Sequence, residues 1–160
     1  MKFLSKKLRY LGILGLLTMT ISGSAFAEYY ISAFDNGKAF NSLIRGDVEG
    51  AMKKFSQTGD RKLSYADINN LCVGQVLSKE TAGAVGTCLS ALDKVGPSIL
   101  YKERSSMKSA IYSNLAVARA LNGDKVGAIE AVRFSIRLNG RNENALKNHE
   151  LLMSNQLAAD

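Results

Sequence analysis

Cys72, Cys88 and His149 are the residues of this 160-residue chain whose side chains could do chemistry beyond packing. His149 is the single histidine. A metal centre or a Ser-His-Asp arrangement needs several convergent partners, so a lone histidine in helical surroundings reads as a surface residue. Cys72 and Cys88 stand too far apart for a C-x-x-C redox motif. The glycines of "TAGAVG" (81–86) follow no strand-like run, so they do not match a phosphate-binding G-x-G-x-x-G loop. The expectation is no catalytic residue, no metal and no cofactor.

The first 27 residues read as a secretory signal peptide rather than as part of the fold. Lys2, Lys6, Lys7 and Arg9 form a basic start, Leu11 to Ile21 an apolar core too short to span a bilayer comfortably, and Ala25-Phe26-Ala27 a small-x-small cleavage site. Cleavage would leave residues 28–160. The whole chain has 21 Lys and Arg against 14 Asp and Glu, a net of +7. Four of those cations lie in the leader, so 17 remain against 14, a net of +3. A balance that small gives little reason to expect a nucleic-acid partner or an anionic membrane. The expected location is the periplasm, with secretion as the variant.

An internal repeat organises the rest. "NLAVARALNGDKVGAIEAV" (114–132) lies over "NLCVGQVLSKETAGAVGTC" (70–88) at an offset of 44 without gaps. Asn, Leu, Val, Leu, Gly and Ala recur at 70/114, 71/115, 73/117, 77/121, 83/127 and 84/128, and Ala66/Ala110 extends the match. A partial copy, "LIRGDVEGAMKKF" (43–55), shares Gly46/Gly123, Asp47/Asp124, Gly50/Gly127 and Ala51/Ala128. The pair Gly-Ala therefore falls at one place in each copy, just after a turn. Small residues there let two helices approach closely, the alanine as the contact and the glycine tolerated beside it. That tolerance is costly, since glycine inside a helix loses about 1 kcal/mol relative to alanine.

The pattern resembles the tetratricopeptide repeat, a pair of antiparallel helices of about 34 residues. The family positions fall on Tyr112, Leu115, Ala116, Gly123, Ala128 and Val132, with Gly140 where proline is usual. In the preceding copy they fall on Ile68, Leu71, Cys72, Ala84 and Cys88, with Lys79 in place of the turn glycine, and in the first copy Lys38 stands at an apolar position. The expected fold is all-α, a short solenoid of three helical hairpins (about 29–58, 64–95 and 105–140) with a capping helix at about 143–157. Helices are expected at 29–44 and 47–57, 64–78 and 80–95, and 105–122 and 125–138. Ser64 with Asp67 reads as a capping box. The segment 93–106 reads as an insertion that Pro97 opens by ending the preceding helix.

In the family, the first helices of successive hairpins line a groove that binds a peptide. The resemblance places that groove at Ala66, Asn69, Asn70, Val73 and Val76, and at Ala110, Ser113, Asn114, Val117 and Ala120. An asparagine amide both donates and accepts, so Asn70 and Asn114 suit a ligand gripped by its main chain. They would equally suit tethers to a neighbouring helix or loop. No Lys or Arg stands where a terminal carboxylate would be clamped. Arg133 and Arg137, with Arg141 beyond them, read as a solvated outer face more readily than as a patch for an acidic partner.

The cysteines allow two readings. A hairpin turning near Lys79 brings Cys72 and Cys88 to nearly the same height, and an exported chain permits a disulfide. The alternative is two buried thiols used as small core residues. The chain therefore reads as an exported, non-catalytic scaffold or adaptor for a protein or peptide partner, without stable membrane insertion after cleavage. Two other classes stay open: a helical redox accessory or enzyme using Cys72 and Cys88, and a self-associating structural subunit of envelope or pilus machinery.

Overall fold

The computed structural model describes residues 29–58, 62–97 and 99–157. The leader expected at 1–27 lies outside them. The described residues form seven α-helices and no strand: α1 (Phe40–Ile44), α2 (Val48–Ser56), α3 (Tyr65–Leu77), α4 (Thr81–Lys94), α5 (Tyr101–Leu121), α6 (Lys125–Leu138) and α7 (Glu143–Leu157). Among them, no helix is long and apolar enough to cross a membrane.

Local chemistry explains where three of these helices begin. Asp47 and Asp124 are N-caps whose carboxylates accept from the N–H of Gly50 and Gly127, each at 2.9 Å. Ser64 accepts from the Asp67 N–H, and Asp67 accepts in return from the Ser64 N–H, which completes the capping box. The chain reverses between α1 and α2 through Gly46 (φ 78°), and between α5 and α6 through Gly123 (φ 86°). Lys79 makes the matching reversal between α3 and α4 at φ 65°. A side chain is disfavoured in that left-handed region.

The second glycine of each turn also has a physical cause. A Cβ on Gly50 or Gly127 would press on the capping carboxylate of Asp47 or Asp124. In these two turns the glycine leaves room for the capping carboxylate as it stands, which a side chain would force to shift. Two substitutions should therefore have opposite signs. Lys79→Gly should stabilise the fold by about 1 kcal/mol by removing the left-handed side chain. Gly127→Ala should destabilise it, although alanine is the better helix former. Urea unfolding of each variant measures both; a stabilised Gly127→Ala protein would contradict the cap geometry.

The helices pack as hairpins in chain order, α1 with α2, α3 with α4, and α5 with α6, and α6 then meets α7. The first helices also touch in sequence, α1 to α3, α3 to α5 and α5 to α7, and so form one continuous face. Ala51, Ala84 and Ala128 are each 0 % exposed and let the second helices sit close. The α5–α6 contact adds a reciprocal pair in which Ser109 Oγ donates to the Ser135 carbonyl and Ser135 Oγ to the Ser109 carbonyl. The main core joins apolar residues from α3 through α7, with Phe34 added from outside the helices. A smaller cluster of Ala39, Leu43, Ala51, Phe55 and Val73 closes the first hairpin.

Cys72 and Cys88 form a disulfide that joins α3 to α4, with a Cα–Cα distance of 5.3 Å. Both are fully buried.

The first hairpin departs from expectation. A helix over 29–44 is not formed: residues 29–38 are non-helical, and only Phe40–Ile44 coils. The backbone groups that a helix would have paired with one another are taken by asparagine side chains from distant helices. The α5 helix also begins at Tyr101, inside the presumed insertion, four residues earlier than expected.

Candidate peptide-binding site

The segment Tyr29–Phe34 crosses the face made by α7, α5 and α3, in that order. Three asparagines hold it, one from each helix, and each grips a single residue by both its N–H and its carbonyl. Asn148 Oδ1 accepts from the Tyr30 N–H at 2.7 Å and its Nδ2 donates to the Tyr30 carbonyl at 2.7 Å. Asn114 makes the same pair of bonds to Ser32, both at 2.8 Å. Asn70 makes them to Phe34, at 2.7 and 2.8 Å. Bonding at every second residue is what an extended chain presents, because its backbone groups alternate in direction. All three asparagines are fully buried, so every amide group must find a partner.

Further amides lock the ladder. Asn69 Nδ2 donates to the Ser32 carbonyl at 2.9 Å, and its Oδ1 accepts from Asn114 Nδ2 at 2.9 Å. Asn148 Nδ2 also donates to Ser113 Oγ, and Asn70 Nδ2 to the Lys38 carbonyl. Three contacts read side chains. Asn144 Nδ2 donates to Ser32 Oγ at 2.8 Å. Phe34, 2 % exposed, enters the main core and meets Tyr65 edge to face at 5.9 Å between ring centroids. Lys147 places its ammonium 5.0 Å from the Tyr30 ring centroid.

The turn that follows is fixed as well. The Gly37 N–H donates to the Phe34 carbonyl, and a Cβ on Gly37 would lie 2.6 Å from the Ala66 carbonyl oxygen. The Lys38 N–H donates to Asp67 Oδ1 at 2.6 Å. Burial pushes the Asp67 carboxyl up, but hydrogen bonds from the Lys38 and Ser64 N–H groups and the Ser64 hydroxyl, with the Lys38 charge, outweigh it and hold the pKa below the usual 3.8. A depressed carboxylate contributes stability that is present above its unfolded value and lost as pH falls through its folded value. The amide shift of Lys38 should accordingly titrate below pH 3.8 and stop titrating in Asp67→Asn. A midpoint above that value would mean that the turn does not rest on Asp67.

The expected groove residues divide. Asn69, Asn70, Ser113 and Asn114 belong to the ladder, and Ala66 backs the turn at Gly37. Val76, Ala110 and Val117 are buried in the main core and Val73 in the smaller cluster, while Ala120 is half-buried at the edge of the former. Asn70 and Asn114 act as tethers, and they hold a segment of this same chain through its main chain. Asn144, Asn148 and the segment itself were not anticipated. One signal existed for Asn148, which follows Asn114 by 34 residues, the length of the family's unit. His149 lies beside it on α7, half-buried.

No protein-family model matches this chain, and no curated protein or solved structure does either.

Proposed function

We propose that this protein is an exported, non-catalytic adaptor of the tetratricopeptide kind, working in the periplasm, whose α3–α5–α7 face holds an extended protein segment. The observation that carries the reading is the asparagine ladder. Three buried amides, one from each of three helices, pair with alternate residues of an extended main chain, a geometry suited to peptide recognition. Helical hairpins packed in chain order, with their first helices sharing one face, support the tetratricopeptide resemblance. The leader-like start and the Cys72–Cys88 bond are compatible with an oxidising compartment.

Site-specific photo-crosslinking in cells tests this. A photoreactive residue replacing Lys147, which borders the ladder at Tyr30, should trap a segment of another envelope protein. The adduct should vanish when Asn114→Ala is added. Adducts unaffected by Asn114→Ala, or none at all, would move the partner surface away from this face.

A further inference from the structure

We propose that the ladder face selects extended segments of another protein that carry serine and, two residues later, an aromatic side chain, and that Tyr29–Phe34 is an internal copy of that ligand which such a segment displaces. The inference rests on the adaptor reading above and adds the ligand's chemistry to it.

The main-chain rungs at Tyr30, Ser32 and Phe34 accept any sequence, so selection must come from the side chains between and beside them. Two positions are enclosed. Ser32 is buried, its Oγ accepting from Asn144 Nδ2 and its carbonyl accepting from both Asn69 and Asn114. A larger apolar side chain there would collide with the amides and remove the hydroxyl to which Asn144 Nδ2 donates. Phe34 fills a core position against Tyr65, and a small residue would leave a cavity. Tyr29, Ile31 and Ala33 are only half-buried and less restrictive.

The internal copy is built like a ligand rather than like a helix of the stack. It has no helical hydrogen bonds, and its rungs come from side chains 36 to 118 residues away. Its tether gives it an effective concentration of about millimolar, so a free segment of equal quality binds the resting protein poorly. A second copy of this chain is a poor rival: it offers the same residues, and exchange would break the Gly37–Phe34 turn bond without a new contact.

The test uses the full mature chain and a labelled peptide of the sequence Tyr-Tyr-Ile-Ser-Ala-Phe-Asp-Asn. Phe34→Ala weakens the internal copy and opens a cavity that the peptide's phenylalanine refills. Ser32→Pro, which removes the N–H that Asn114 accepts, provides a second unlatched protein should Phe34→Ala fold poorly. Fluorescence anisotropy should show binding to the unlatched proteins at least about tenfold tighter than to the wild type, as expected for competition with a tethered occupant. Replacing the peptide's serine by leucine or its phenylalanine by glycine should weaken binding at least about tenfold. Equal affinity for the altered peptides would overturn the selection rule. No binding to either folded, unlatched protein would overturn the displaceable ligand, while photo-crosslinked adducts at the Lys147 position would still leave the adaptor reading standing. Dimers of the wild-type chain in light scattering, lost in Phe34→Ala, would overturn it in favour of exchange between copies.

Discussion

Asn114→Ala should release the N-terminal segment from the helical face. The substitution orphans the Ser32 N–H, which donates to Asn114 Oδ1, and Asn69 Oδ1, which accepts from its Nδ2. Each buried orphan costs about 1–3 kcal/mol, so a fully docked variant would lose about 2–6 kcal/mol. The real loss has a ceiling, because the segment can lift into water and satisfy its own backbone. Hydrogen exchange gives the specific readout. In the wild-type protein the amides of Tyr30, Ser32 and Phe34 should be protected, since each donates to a buried asparagine. In the variant all three should exchange quickly while the α5–α6 core amides stay slow. Uniform protection in both proteins would show that the ladder does not hold the segment.

The second large effect concerns the disulfide. Cys72→Ala with Cys88→Ala should destabilise the protein by about 3 kcal/mol in the chain-entropy model. The bond closes a loop spanning 16 sequence positions between two fully buried residues. For a domain of this size such a loss lowers the melting temperature by about 10 °C. The wild-type protein heated with a thiol reductant should melt near the double variant, because unfolding exposes the bond. Equal melting with and without reductant would show that α3 and α4 are held by packing alone. The staple sits in the hairpin whose reversal uses Lys79 at φ 65° instead of glycine. Joining Lys79→Gly to the double variant should recover part of the loss.

Much of the fold was legible because its determinants are local. Caps act over three residues, so Asp47, Ser64 with Asp67, and Asp124 announce their helices in the sequence. Turn glycines at 46 and 123 mark backbone reversals that other residues resist. The recurring Ala51, Ala84 and Ala128 revealed the close helix contacts, since the same steric demand repeats in each hairpin. Hairpin register put Cys72 and Cys88 at matching heights and left a disulfide as one of two readings; the facing of the two side chains, seen in the structure, decided for the bond.

Tertiary structure decided the rest, and the division follows sequence distance. "YYISAF" reads as helix when its apolar residues are considered alone, and nothing nearby forbids a coil. What makes it extended is the supply of hydrogen-bond partners from Asn70, Asn114 and Asn148, which exist as a row only after α3, α5 and α7 have packed side by side. The sequence did show that Asn70 and Asn114 recur at the repeat offset and suit either a main-chain ligand or a tether; it did not single out Asn148. It could not show that the segment held there is the chain's own Tyr29–Phe34. That depends on the α3, α5 and α7 faces being brought side by side, where an amide with two bonding groups satisfies a peptide unit with two of its own.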